Sequence, residues 1–359
     1  MIRIICEPKF TDSTWCREIV RGIADAAKKK RLTVSEDGTP ESGDMAAIAA
    51  SSPEWIAEKV REYSSLGAVA VLIGTCPSGV DICSVSTDIT HTVSSLLSYL
   101  RHDCGCERTA LYGVNRSSVE DISKLDAFAK ATHGESGGVY FNTGKLDDCF
   151  SAFLCDARRF DSVICTNDYA AVSLVKSLEK SGIKVPGDIK IASFSGTLLA
   201  ENCTPSVTSA EMNFYEYGRS AVEVYSMLLK NPCLSSASVK MKCGIVPRET
   251  TGFTPCSDKS CIVYEAVRSL SDGDVETRFY DDSTVSSLLT LGNLLSSCDT
   301  ADLEMLPLLA KGLSYEVIAE RLYMSANGVK YRVKRLIGLC GVCGVSGKKE
   351  LAHFLSKYI

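Results

Sequence analysis

Between positions 330 and 335 the chain places four cations, Lys330, Arg332, Lys334 and Arg335, with no acidic residue among them. Read as a helix, the segment turns these charges outward while Val329, Val333 and Leu336 face inward at helical spacing. Lys and Arg so arranged can neutralise phosphates, and Lys can donate to guanine acceptors in a major groove. The residues just before supply the support. Val317, Ile318 and Leu322 mark the apolar face of a short helix, Ala319 lets the two helices approach, and Tyr323-Met324-Ser325 forms the turn between them, with Ser325 placed to cap the second.

A second group of candidates lies where strands of an open α/β sheet would end, because ligands there meet loops and helix N-termini. These are Phe10 to Trp15, Thr75 to Gly79, Asn167-Asp168 and Ser195-Gly196. The Asn167 amide offers both donor and acceptor to a hydroxylated ligand, whereas Asp168 can equally cap the helix that follows it. Phe10, Trp15 and Phe214 can stack on a flat or sugar-like face or simply fill a core. A third candidate, Cys340-Gly341-Val342-Cys343, could hold zinc or form a disulfide with help from Cys298 or His353, but no second paired motif accompanies it, and incidental thiols are the simpler reading. The seventeen cysteines are scattered and odd in number, as expected of reduced thiols packed as small hydrophobes. G-x-S-x-G, P-loop and G-x-G-x-x-G patterns are absent, and His91, His102, His133 and His353 do not cluster along the chain. The expectation is a protein that is not an enzyme and carries no cofactor and no metal.

The elements that must position these residues follow an alternating pattern. Strand-like runs at Ile2 to Glu7, Ala68 to Ile73, Ala110 to Val114, Gly138 to Phe141, Ser162 to Cys165 and Ile189 to Phe194 alternate with helical stretches such as Trp55 to Tyr63, Thr92 to Leu100, Val119 to Ala131, Asp148 to Ala157 and Ala170 to Ser181. This predicts parallel sheets with helices on both faces, and some 250 residues of it predict two similar lobes rather than one sheet. Farther on, Asp281-Asp282-Ser283 could cap a helix with Val285, Leu288, Leu289 and Gly292 on one face and Leu291, Leu294 and Leu295 on the other. Two apolar faces imply burial, against a neighbouring domain, a second subunit, or the helix's own protein.

With 359 residues, 45% hydrophobic and 23% charged, the chain has material for two or more ordinary cores. Its longest apolar run, Gly67 to Gly74, is too short for a bilayer and its first residues too few for a signal peptide, which predicts a cytoplasmic protein without a membrane partner. The net charge of −5 is unevenly spread: residues 301–359 hold six Lys and three Arg against five acids, a surplus of +4, so the rest carries −9. Polyanion contact through one end is favoured.

Two resemblances sharpen this reading. Ala319, Leu322, Met324, Ser325, Gly328, Val329 and Lys330 stand in the order of the LuxR-type helix-turn-helix pattern, with Met305 to Gly312 resembling its scaffold helix and Gly344-Val345-Ser346 the approach to its last helix. Pro307 inside the scaffold helix, and about three extra residues before the last one, depart from that pattern. The resemblance implies double-stranded DNA as a partner and Ser325, Asn327, Lys330, Tyr331, Lys334 and Arg335 as its contacts, Arg332 and Arg335 lying nearer phosphate. Separately, Val163 to Ala171, Gly182 to Ile189, Thr204 to Thr208, Tyr217 to Ala221 and Arg248 to Gly252 resemble in order and spacing the effector-binding core of LacI/GalR-type regulators, with Val20 to Ile23 fitting the first helix. That resemblance implies a periplasmic-binding-protein-like fold closing on a small effector, with Asp12, Trp15, Lys124, Asn167, Asp168, Ser195 and Phe214 as ligand contacts. Many sugar-binding relatives have an Asp pair and an Arg where Ser195-Gly196 and Lys124 stand here, so a sugar, a nucleoside-like ligand and an anionic metabolite all remain open.

The expected architecture is therefore a two-lobed α/β domain over residues 1–252 (lobe 1 about 1–104 and 232–252, lobe 2 about 105–231), a linker or dimerisation segment over 253–297, and an all-α helix-turn-helix domain over 298–359. The expected function is a homodimeric, ligand-responsive transcription regulator. The rival readings are a transporter's solute-binding protein and a cysteine-based redox or metal sensor.

Overall fold

The computed structural model describes residues 1–77, 79–132, 138–253, 283–340 and 345–359. Two six-stranded sheets form the body. The first comprises β1 (Ile2–Cys6), β2 (Val34–Ser35), β3 (Met45–Ala49), β4 (Val69–Ile73), β5 (Cys83–Thr87) and β11 (Ser238–Met241), in the order β11-β5-β4-β3-β1-β2 and all parallel. The second comprises β6 (Thr109–Val114), β7 (Val139–Phe141), β8 (Ser162–Cys165), β9 (Lys190–Ser195), β10 (Thr208–Glu211) and β12 (Gly244–Val246), in the order β12-β10-β9-β8-β6-β7, with only β12 antiparallel to its neighbour. Central strands such as Met45–Ala49 are buried on both faces, as parallel sheets covered by helices require.

The lobes are drawn differently from expectation. Helix α3 (Ile89–His102) buries Val93, Leu96 and Leu100 with Leu111, Ile164 and Phe194 of the second sheet and with Phe128 of the helix that follows β6, so the chain leaves lobe 1 right after β5 and not near 104. Helix α8 (Phe214–Lys230) packs on α1 (Thr14–Lys30) and over β4 and β5, so it belongs to lobe 1 and not lobe 2. β11 then closes the edge of the first sheet, and β12 returns to the second. Among the described residues the chain thus crosses between the two sheets three times, after β5, after β10 and after β11. Packing of α1 on α8 depends on two glycines: a Cβ on Gly22 would collide with the Tyr215 carbonyl, and one on Gly218 with that of Ile19. Only a residue without a side chain allows backbones this close.

Lobe 2 also carries α4 (Val119–Ala131), α5 (Leu146–Asp156), α6 (Asp168–Lys180) and α7 (Leu198–Asn202), while α2 (Pro53–Ser65) covers lobe 1. Residues 254–282 lie outside the described residues, and with them most of the expected linker and its Asp281-Asp282 cap. Beyond them α9 (Ser283–Ser296) buries Val285, Leu288, Leu291, Leu294 and Leu295, touching α6 and α7 of lobe 2, α12 (Ala326–Leu339) and α1 of lobe 1. Both its apolar faces are thus used within its own chain. The remaining helices are α10 (Thr300–Ala310), α11 (Tyr315–Arg321) and α13 (Lys348–Leu355). Asp299 and Asp302 form a reciprocal capping box at the start of α10, and the helix continues through Pro307 to Ala310 rather than stopping there. One apolar cluster runs without a break from lobe 2 through α9 into α10, α11, α12 and α13. Among the described residues no helix is long and apolar enough to cross a membrane.

Candidate functional site

The lobes enclose a cavity of about 140 Å³. Its lobe 1 wall is aromatic. Phe10 and Trp15 stand 5.5 Å apart, Trp15 and Phe214 6.3 Å, and Phe214 and Tyr217 5.7 Å, all in tilted geometries that rings favour over flat stacking. The wall is placed by helix starts: Trp15 lies in the first turn of α1 behind the Ser13 cap, and Phe214 opens α8 behind the Asn213 cap. Because α1 and α8 are packed through their glycines, Trp15, Phe214 and Tyr217 are set side by side on two joined helices, with Phe10 added from the turn before α1.

The lobe 2 wall is polar. Lys124, only 3% exposed, donates to the Thr166 carbonyl at 2.8 Å, pairs with Glu120 at 2.8 Å and Asp121 at 3.3 Å, and lies over the Phe194 ring. Burial opposes its charge, but the two carboxylates outweigh burial and raise its pKa. Lys124 borders the cavity as expected, yet its ammonium is spent on its own helix and on Thr166. The sequence did hold this signal, since Glu120 and Asp121 precede Lys124 by four and three residues on one helix face.

The other expected ligand contacts divide. Trp15, Asn167, Ser195 and Phe214 line the cavity. Asn167 caps α6, its Oδ1 accepting from the Ala170 amide at 2.9 Å while its Nδ2 donates to the Thr166 hydroxyl at 3.4 Å, so one N–H and one lone pair are left for a ligand. Ser195 takes φ of 100°, a backbone strain that tends to concentrate at ligand sites. Asp168 does not reach the cavity: it is buried at the start of α6, accepting from Ser193, Ser209, and the Thr197 amide and hydroxyl. Burial pushes its pKa up, against the opposing effect of those donors. Neither alternative read from the sequence describes it: Asn167 caps α6, and Asp168 ties the start of that helix to β9, β10 and the start of α7. Asp12 is also displaced, lying exposed on the surface against Arg17 at 3.6 Å.

Sequence reasoning missed several lining residues. Asn115 follows the end of β6 and Thr87 ends β5, where the strand-end rule could have found both; Tyr169 and Tyr217 carried no such mark. Tyr217 donates to or accepts from Thr87 at 2.9 Å. Across the cleft Ser51 of lobe 1 meets Ser118, the cap of α4 in lobe 2, at 3.1 Å.

The second candidate surface is α12. Ser325 caps it, accepting from Gly328 at 3.0 Å, and Val329, Val333 and Leu336 are buried beneath it. Asn327, Lys330, Tyr331 and Lys334 are exposed, Tyr331 at 75%. The two arginines behave otherwise. Arg332 pairs with Asp299 at 2.7 Å and Asp302 at 2.8 Å, and Arg335 also pairs with Asp302, whose side chain is fully buried. Both arginines thus pair with the start of α10 and fasten α12 to its support, Arg335 remaining exposed as it does so. Cys340 is buried and ends α12, while Cys343 lies outside the described residues. Among the described residues no group of three or more His, Cys, Asp or Glu is arranged to hold a metal ion.

Residues 102–251 match a family profile described as a periplasmic binding protein-like domain. The chain is 22% identical over 198 residues to the HTH-type transcriptional regulator pepR1 of Lactobacillus delbrueckii subsp. lactis, covering 54% of this chain and 60% of that protein. It is 28% identical over 174 residues to the HTH-type transcriptional regulator GalR of Streptococcus thermophilus, covering 44% and 52%. The chain thus spans between half and two thirds of the length of these relatives. Among solved structures, the transcriptional regulator CelR in its cellobiose complex superposes with a TM-score of 0.58 at 16% identity, covering 69% of this chain and 83% of that one. The two-lobed body has a periplasmic-binding-protein-like fold, residues 102–251 matching the profile of that name and the solved regulator superposing on the rest of the body as well.

Proposed function

We propose that the protein is a ligand-responsive transcription regulator that takes a small effector between its lobes and reads double-stranded DNA through a C-terminal, LuxR-type helix-turn-helix formed by α11 and α12. The observation that carries this reading is the seat of α9. It lies in one core with lobe 2 and α12, and at its far end Ser296 meets Thr14 of lobe 1 at 3.5 Å. Its Gly292 sits over the Tyr169 hydroxyl, and Tyr169 lines the cleft. A single helix therefore touches the effector wall, the opposite lobe and the back of α12. Closure that moves lobe 1 against lobe 2 acts on this helix, and with it on the exposed Lys330, Tyr331 and Lys334. The protein acts as a homodimer on two half-sites, as helix-turn-helix readers commonly do, and works in the cytoplasm where its DNA is.

The effector is a neutral hydroxylated ring, of which a sugar is the leading case. An aromatic wall and neutral amides suit such a ring. An anionic metabolite is disfavoured because Lys124, the cleft's lysine, already faces two carboxylates. The likeness to CelR, a cellobiose complex, supports the same choice.

The test has two stages. A melting screen of neutral sugars, nucleosides and sugar phosphates identifies the effector, since a ligand that binds the folded state raises Tm. Operator titrations, on DNA selected from a random pool, then compare the wild type with Gly292→Val, which crowds Tyr169. The variant should keep the Tm shift but lose the effector's influence on DNA affinity. An effector response on DNA that survives Gly292→Val unchanged would refute the α9 route.

A further inference from the structure

A pair of thiols behind the aromatic wall has no part in effector or DNA binding. Cys6 ends β1 and Cys16 lies in the first turn of α1, and their sulfurs stand 3.0 Å apart with Cys16 donating to Cys6. Bonded disulfide sulfurs lie about 2.0 Å apart, so roughly 1 Å of approach separates this pair from a bond. Cys16 is buried, while Cys6 is only partly so. The hydrogen bond from Cys16 holds the Cys6 thiol below its ordinary pKa, against burial and the Glu36 carboxylate, and the same bond with burial pushes Cys16 well up. One sulfur is thus disposed to be the thiolate and its neighbour to keep its proton.

We propose that Cys6 and Cys16 are a peroxide-oxidised modification site, closing to a reversible disulfide that ties the first turn of α1 to the end of β1. In the first step the Cys6 thiolate attacks one oxygen of a hydroperoxide. An S–O bond forms, the O–O bond breaks, and the departing oxygen takes a proton to leave as an alcohol, or as water from hydrogen peroxide. In the second step the Cys16 sulfur attacks Cys6, the S–S bond forms, the S–O bond breaks, and the leaving hydroxide takes the Cys16 proton as water. The two thiols lose two electrons and the peroxide gains them.

The position gives the bond a consequence. Trp15 of the aromatic wall precedes Cys16, and Glu7, following Cys6, accepts from the Ser51 and Ser52 amides at 3.1 Å each. Drawing the sulfurs together changes the setting of Trp15 against the cavity. This inference stands apart from the assignment of effector and DNA, since it concerns the unliganded protein.

The full chain is treated with hydrogen peroxide, alkylated, digested without reduction and mapped by mass spectrometry. A peptide joining Cys6 to Cys16 should appear before alkylation is lost at the more exposed Cys155 and Cys233, and dithiothreitol should remove it. In Cys16→Ala, a sulfenic acid should accumulate at Cys6 and react with a 1,3-dione probe; in Cys6→Ala, Cys16 should stay alkylatable. Trp15 emission, read in Trp55→Phe to remove the other tryptophan, should change on oxidation and return on reduction. The proposal is overturned if Cys6 and Cys16 remain jointly alkylatable while Cys155 and Cys233 oxidise, or if Cys6 is found bonded to another cysteine. Should either cysteine variant fail to fold, the wild-type peptide map decides alone.

Discussion

The cleft and α12 each offer cations that look alike in sequence, and the structure puts them to opposite uses. Lys124 is enclosed by Glu120, Asp121 and the Thr166 carbonyl, whereas Lys330 and Lys334 project into solvent. Within α12 itself the division repeats, because Arg332 and Arg335 are held by Asp299 and Asp302 of a different helix. What a charge can do is decided by whether a partner reaches it first. A solvated cation keeps its capacity for phosphate; an enclosed one has become part of the fold.

The sharpest way to break this comparison is to remove one charge from each side. Lys124→Ala leaves the buried Asp121 carboxylate without its cation and should cost roughly 3 to 5 kcal/mol in denaturant unfolding; the double change Lys124→Met, Asp121→Asn should recover part of it. A loss no greater than that of an exposed lysine would show that Lys124 is available to ligand after all. Asp302→Ala should cost about 1 to 3 kcal/mol, since Asp302 is buried and pairs with two arginines and the Asp299 amide. Lys334→Ala should leave unfolding unchanged but weaken DNA binding and lower the salt slope by roughly 1. Arg332→Ala should do the reverse, destabilising the C-terminal helices while leaving the salt slope intact. Equal slopes for both variants would erase the distinction between them.

The smallest effect is in acid. Asp299 has its pKa lowered first by the hydrogen bond from Arg332, then by the Asp302 amide contact. A folded-state pKa below the unfolded one stabilises above the ordinary carboxylate range near 4, and that contribution fades as pH falls through the lowered value. An NMR titration of the Asp299 carboxyl should therefore move upward in Arg332→Ala; an unchanged midpoint would separate Asp299 from Arg332 in solution.

Much of the fold was legible because alternation of strand and helix is a local signal. Ser162–Cys165 and Val119–Ala131 appear at the limits their residues imply. Met45–Ala49 was not legible: Met and Ala favour helix, and only burial between β1 and β4 makes the segment a strand. The lobe limits were misplaced for a related reason, since the choice of sheet for α3 and α8 lies in contacts distant in sequence. In the site, Asn167 and Ser195 were found by the strand-end rule while Asn115 and Thr87 were passed over, and the aromatic wall was found only in part, because Tyr217 lies within a helix whose packing joins it to Thr87. The fate of Arg332 was hidden similarly, its partners standing some thirty residues away, at 299 and 302.

The three strands of chain that pass between the lobes have a mechanical meaning. A single tether would let one lobe swivel freely, and two would still permit twist about the line joining them. Three tethers, after β5, β10 and β11, leave chiefly one bend. On the proposed route through α9, the body would then work as a gauge with one scale: two ligands that hold the lobes at the same angle would be the same signal, however different their chemistry.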